Sequence, residues 1–491
     1  MTATPTSTTA RPDARHLPPI IQGGMGVGVS SWRLASAVAR AGQLGVVSGT
    51  ALDLTLARRL QDGDRDGSVR RAINAFPVPG FADEVLEKYY IPGGRRPGEA
   101  YAAVARLAVE QTRLSQQLAV LGNFVEVWLA KAGHPGVVGV NYLEKAQMAT
   151  PAALYGAILA GVDVVLMGAG IPRELPHLVD ELAQHHRVRL PIDVDGAPAG
   201  TYGVELDPVA LLGRRLPALD RPAFLAIVSA DVLAGYLARD EAIRPDGFVV
   251  EGHLAGGHNA PPRGRPTFDA EGEPVFGPRD DADLAKVAAL GLPFWVAGAQ
   301  GTPEALAHAR ATGAVGVQVG TIFAVARESG LLPELRTAVL DRLRNGTLHV
   351  RTDPLVSPTG FPFKVADIPG TLSDPAVFRD RPRLCDVGFL RKPYVRPNGA
   401  LGYRCPAEPV TPYERKGGST EDAVGRGCLC NSLTAAIGLG QTRPDGNVEE
   451  PLVTLGSDLD GARRLAELYP EGWSAAEALD WLAGGLVPTA G

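Results

Sequence analysis

The chain reads as an α/β protein: a (β/α)8 TIM barrel with an inserted helical segment and a C-terminal irregular/helical extension. Three observations predict this. From residue 18 onward, eight short apolar runs alternate with helix-length segments, the βα repeat of a barrel. Each run is apolar on both faces, as parallel strands covered on both sides must be. Most of the runs end in glycine-rich or polar clusters, at the strand ends where a barrel's βα loops gather.

In order, the predicted strands are 20–23, 44–49 (LGVVSG), 137–143 (VVGVNYL), 162–170 (VDVVLMGAG), 223–229 (AFLAIVS), 246–252 (DGFVVEG), 293–299 (PFWVAGA) and 316–321 (GVQVGT). Helices are expected at 32–41, 151–160 and 174–185, with a long helical stretch over about 99–132. A doubly wound dinucleotide fold competes. It would place G-x-G-x-x-G after its first strand and an acid at the end of the second. The G-G-M-G-V-G run at 23–28 has the wrong spacing, and that acid is missing.

The domain reading is a disordered lead-in over 1–15, a barrel over 16–345 and a Cys-bearing extension over 346–491. The barrel carries a helical insertion over about 80–133 and a second insertion over about 187–220. Gly (59) and Pro (41) fall between apolar runs rather than in one tract, which suits many short connections. Net charge is −6 with both signs interspersed, and no basic block suggests nucleic-acid binding. No apolar run reaches membrane-span length, and the polar N-terminus lacks a signal-peptide core. The chain therefore reads as cytoplasmic, with homodimerisation left open.

The strand ends carry QGGMG (22–26), GVN (139–141), GAG (168–170), AGGHN (255–259), AGAQG (297–301) and VGT (319–321). Glycine there lets backbone approach a flat ligand or a phosphate. The last two clusters occupy a barrel's usual phosphate position, with Thr302 and Pro303 as cap and first-turn residues of the next helix.

The stretches IIQGGM (20–25), GVN (139–141), GAGIP (168–172), EGHLAGGHN (251–259), VAGAQGTPEAL (296–306) and GVQVGTIFAVARES (316–329) resemble the nitronate monooxygenase (2-nitropropane dioxygenase) family. That family includes the FMN-dependent enoyl-ACP reductases. The tail is similar to a long-chain subgroup of trans-acting enoyl reductases of polyketide and polyunsaturated fatty-acid synthases. The resemblance implies FMN as cofactor. Gly23, Gly24 and Met25 would line the flavin ring, Asn141 would touch it, and Gly256 and Gly257 would bring backbone near it. Gly298, Gly301, Gly320 and Thr321 would hold the phosphate, and His258 matches the active-site histidine. Two departures change the expected substrate pocket: Leu254 stands where many relatives have an acid, and a Pro/Arg-rich loop (259–266) follows His258.

The implied activity is oxidation of alkyl nitronates with O2. The alternative is NAD(P)H-dependent reduction of enoyl groups on small-molecule or acyl-carrier-bound substrates. A third reading is a non-catalytic flavin-binding accessory protein of a synthase. His253 and Lys364 are secondary candidates, and His185 and His186 read as surface residues. Cys385, Cys405, Cys428 and Cys430 all fall in turn-rich sequence of the tail. Four thiolates suit tetrahedral Zn2+, with an iron–sulfur cluster as the rival and unrelated buried thiols as the plain alternative.

Overall fold

The computed structural model describes residues 13–484. Eight strands close into a parallel barrel: β1 (Ile20–Gln22), β2 (Leu44–Ser48), β3 (Val138–Leu143), β4 (Val164–Gly168), β5 (Ala223–Val228), β6 (Gly247–Glu251), β7 (Phe294–Ala297) and β8 (Gly316–Val319). Neighbours follow in sequence around the ring, and β8 pairs with β1 through Ile20↔Val317. All eight predicted strands are present. β4 and β7 stop earlier than the apolar runs suggested because Ala169 (φ 58°), Gly298 (φ 87°) and Ala299 (φ 55°) turn the chain out of extended geometry.

Inward side chains from around the ring fill the barrel, among them Ile21, Val46, Leu166, Leu225, Val249 and Trp295. The expected lead-in is only partly within view: residues 1–12 lie outside the described residues. Ala14–His16 form a short 3-10 turn, and buried Ala14 packs into the barrel's lower core. Trp295 Nε1 donates to Pro18 O (3.0 Å), tying that segment to β7.

The long helix expected over about 99–132 begins only at Arg113 and runs to Lys131. Side chains take the preceding backbone donors instead. Tyr101 N donates to Gln441 Oε1 (2.8 Å), Ala102 N to Gln61 Oε1 (2.7 Å), Ala105 N to Tyr89 Oη (3.0 Å) and Val109 N to Tyr403 Oη (2.9 Å). Two of these acceptors belong to the C-terminal extension. Helix Arg113–Lys131 is almost wholly buried and is the crossover between β2 and β3 rather than a cap. Shorter helices Leu52–Gln61, Ser68–Asn74 and Asp83–Tyr89 precede it. Residues 187–220 hold an antiparallel hairpin, Val188–Ile192 with Tyr202–Leu206.

The extension wraps the barrel. Two hairpins, Val350–Asp353 with Phe363–Ala366 and Lys392–Val395 with Leu401–Arg404, are followed by helices Leu429–Ala435, Asp460–Leu468 and Ala475–Leu482. A small core of its own centres on Val356, Phe363, Leu372, Leu429 and Leu452. Leu455, Leu465, Trp473 and Trp481 instead join the main core, and Trp473 Nε1 donates to Ile322 O (2.7 Å). Among the described residues no helix is long and apolar enough to cross a membrane.

Close packing of the layers can be tested at Gly45 in β2, where an added Cβ would lie 1.9 Å from Ala35 O of the neighbouring helix. Both groups are held by backbone, so Gly45→Ala should cost about 1–3 kcal/mol. A thermal melt of the variant is expected to show a clearly lowered midpoint, and an unchanged midpoint would contradict the packing.

Candidate active site

The C-terminal ends of the strands enclose a cavity of about 1600 Å3 including its mouth. Every glycine expected to meet the cofactor lines it: Gly23, Gly24, Gly256, Gly257, Gly298, Gly301 and Gly320, together with Met25, Asn141, His258 and Thr321. The extension supplies the rest of the wall, through Phe389, Leu390, Leu429, Leu433, Gly456 and Gly461. Ala51, Ala169 and Ala299 line it with left-handed backbone (φ 53°, 58° and 55°). Such geometry costs on the order of 1–2 kcal/mol per non-glycine residue, and strain of this kind gathers at functional sites.

The loop after β1 is fixed by a buried polar network. Gln22 Nε2 donates to Ser30 Oγ (2.8 Å) and Val46 O (3.2 Å), while Val46 N donates to Gln22 Oε1 (3.1 Å). Ser30 Oγ in turn donates to Gly23 O (2.8 Å) and accepts from Met25 N (2.9 Å). Asn141 Nδ2 donates to Gly24 O (3.3 Å), and a Cβ on Gly24 would sit 2.5 Å from Asn141 Cβ. Glycine is therefore required for this approach. Asn141 Oδ1 and Gln318 Oε1, both on cavity-lining residues, are buried without a hydrogen-bond partner. A planar ligand with polar edges fits such a wall, because buried polar atoms are seldom left unpaired.

At the opposite end, the turns after β7 and β8 meet the helix Asp460–Leu468. A Cβ on Gly461 would lie 1.9 Å from Gly301 O. Gly456 N donates to Thr321 Oγ1 (3.0 Å). Thr302 caps helix Pro303–Ala311 by accepting from Ala305 N (3.2 Å). Thr321 opens its short helix, so its N–H has no intrahelical acceptor. Glycine backbone and helix starts converge here, the arrangement suited to a phosphate. Asp458 also lines the cavity and accepts from Asp460 N (3.0 Å).

His258 is held by the extension. Its Nε2 is 2.7 Å from Ser357 Oγ, its ring meets Phe363 edge-on at 4.8 Å, and its backbone bridges to Phe363. Burial lowers its pKa to about 4, so the imidazole is neutral at neutral pH. Ser357 Oγ also lies 2.8 Å from Thr359 Oγ1; in the tautomer where Ser357 donates to Nε2, Nδ1 carries the proton and is a donor.

Sequence reasoning passed over Glu251, the last residue of β6. It lines the main cavity and a second one of about 740 Å3 beside it. Burial raises its pKa to about 7. Apolar surroundings drive imidazole and carboxyl in opposite directions: His258 moves away from neutrality and Glu251 toward it. A carboxylate closing an apolar strand at the ligand face was the available signal. Gln318, a polar residue inside the β8 run, offered the same kind of signal.

The remaining candidates separate. His253 lies in the second cavity, stacked on Phe276 at 4.6 Å. Lys364 is buried outside both cavities, and Nζ donates to Thr352 Oγ1 (2.5 Å) and Ser457 Oγ (3.0 Å) rather than forming an ion pair. His185, expected at the surface, is buried between Tyr155 Oη (2.7 Å) and Pro217 O (2.8 Å).

Cys405 and Cys428 share a small apolar cluster against Cys430, with Cys385 near enough for charge coupling. All four are free thiols, and among the described residues no group of three or more His, Cys, Asp or Glu is arranged to hold a metal. The ligand set expected from sequence is thus not formed in this structure. Burial pushes Cys405 and Cys430 up to about 12 and raises Cys385 and Cys428.

The fold and site together define a TIM barrel whose ligand cavity is closed by its own C-terminal extension. No family model and no curated protein matches the chain. Solved structures similar to it include FabK from Thermotoga maritima, at 17% identity over 95% of this chain and 92% of that one, TM-score 0.46. A nitroalkane oxidase from Streptomyces ansochromogenes is 17% identical over 95% of each chain, TM-score 0.43. The enoyl reductase domain of MlnA from the macrolactin biosynthesis cluster of Bacillus amyloliquefaciens is 14% identical over 72% of this chain and 64% of that one, TM-score 0.37. The fold assignment rests on the strand order itself.

Gly461→Ala should separate the extension from the β7 turn while leaving the barrel folded. The variant is expected to purify with far less bound chromophore than the parent and with circular dichroism preserved. Equal chromophore content would remove the extension from the phosphate end.

Proposed function

We propose that the chain is an FMN-dependent oxidoreductase that reduces a neutral α,β-unsaturated acyl substrate with electrons from NAD(P)H. Support for FMN comes from the glycine-lined cavity, the orphaned Asn141 and Gln318 oxygens and the helix starts near Gly301 and Thr321. With FMN bound, it would supply the two electrons and the hydride of the reduction. No second nucleotide-binding fingerprint is present to hold the ADP half of FAD.

One observation favours enoyl reduction over nitronate oxidation. The main cavity has no Lys or Arg among its described lining residues, yet holds the carboxyls of Glu251 and Asp458. At the His258 end of the cavity, away from the helix starts, an anionic nitronate would lose hydration without a fixed cation to compensate, whereas a neutral enoyl group has no charge to desolvate. His258 remains useful to a neutral substrate: Nδ1–H donates to the acyl carbonyl oxygen, while Ser357 fixes the ring through Nε2.

His258→Ala should keep most of the flavin and lose about 10²–10³ in turnover, the usual cost of one such donor. Turnover within a few-fold of the parent would reduce the imidazole to packing. The reading as a whole is tested by anaerobic mixing of purified protein with NADPH or NADH and, separately, with an alkyl nitronate. Bleaching of the flavin by the nicotinamide is expected, with heat-released cofactor running as FMN. Bleaching by the nitronate alone would reverse the assignment, and inertness to both would favour an accessory role.

A further inference from the structure

We propose that Glu251 is the proton donor of the reaction and that the second cavity is the route by which it regains its proton. This rests on the reductase reading above. Glu251, with Ala169, Ile227 and His258, belongs to the linings of both cavities and so forms the partition between them. The second cavity continues past Ser229, Arg263 and Asp280.

The carboxyl is unpartnered. Among the described residues, no hydrogen bond or ion pair reaches it, although charged groups stand around both cavities. Each of these is engaged elsewhere, except that His253 Nδ1 has no hydrogen-bond partner. Arg263 Nη2 donates to Ser229 O (3.2 Å), and Asp280 Oδ1 accepts from Arg263 N (2.6 Å). His253 is stacked on Phe276 and lies 3.6 Å from Asp281. His258 is committed to Ser357, and Asp458 to the start of its helix. Glu251 is half-buried and lines both cavities, so its carboxyl meets open space rather than a protein partner. A carboxyl that gives up and regains a proton must stay free. Its pKa of about 7 populates both forms at neutral pH, as an acid that turns over requires.

The step balances. With FMN bound and reduced, it would supply a hydride to the substrate's β-carbon, leaving the alkene π pair at the α-carbon. The Glu251 O–H bond breaks as the new C–H bond forms there. The carboxylate left behind takes a proton from water entering through the second cavity, and NAD(P)H restores the electrons.

The test uses the purified holoprotein, Glu251→Gln and Glu251→Asp, with crotonyl coenzyme A as probe. Bleaching by NADPH should change by no more than about two-fold in the Gln variant. Re-oxidation of the bleached flavin by the probe should slow by about 10²–10⁴ and recover in part with Asp. Ser229→Trp, narrowing the second cavity, should leave the first re-oxidation intact and slow steady turnover. A second readout needs no activity. A carboxyl raised to about 7 from its usual 4.5 loses the folded state stability as pH rises between those values, with no further loss from this group above. The parent's thermal midpoint should carry that loss and the Gln variant's should not. Unaltered re-oxidation by Glu251→Gln, or an unaltered pH dependence of its midpoint, overturns the assignment to Glu251. A parent protein that NADPH does not bleach, or that the probe does not re-oxidise, overturns the reductase reading instead.

Discussion

The site depends on a short seam between the loop after β6 and the extension. Asn259 N donates to Pro362 O (2.9 Å), Lys364 N to Gly257 O (2.9 Å) and Gly257 N to Thr454 Oγ1 (2.9 Å). These bonds treat the His258 loop as an added strand of the tail hairpin, with His258 bridged to Phe363. The residues that would make an ordinary barrel loop mobile are thereby given fixed partners. The imidazole, the Ser357 hydroxyl and the Phe363 ring are positioned by backbone pairing rather than by side-chain packing alone. The same extension returns at Gly456 and Gly461 to close the far end of the cavity. Barrel and extension form one site, since neither wall is complete without the other.

Closure also explains the electrostatics. Apolar and glycine surfaces surround both ionisable groups at the partition and disfavour the charged form of each. Desolvation acts against charge of either sign, so His258 falls and Glu251 rises. On the proposed mechanism, a neutral imidazole and a carboxyl that titrates near neutrality would divide the labour of hydrogen-bond donor and proton donor.

Much of the barrel was legible because each strand carries its own signal. β2 and β3 are apolar on both faces, and the glycine clusters after β1, β6, β7 and β8 mark the ligand face locally. The irregular stretch before Arg113 was not legible: its amides are satisfied by Gln441 and Tyr403, hundreds of residues away. The roof was missed for a related reason. Leu390, Leu429 and Gly461 have no periodicity that distinguishes lining from loop. Glu251 lay inside a stretch singled out for its glycines and histidine, yet its importance comes from lacking a partner, which only three dimensions reveal. The grouping of the cysteines was legible from sequence, whereas the apolar cluster that Cys405, Cys428 and Cys430 share was not.

On the proposed reading, barrel and extension would jointly hold a flavin mononucleotide in one cavity. The most direct measurement is a crystal structure of the protein as isolated, without added cofactor or metal. The account predicts FMN with its ring against Gly24, Asn141 and Gln318 and its phosphate between Thr321, Gly301 and Gly461. A cavity filled only by solvent, or a flavin phosphate bound away from the Gly301–Gly461 contact, would contradict it.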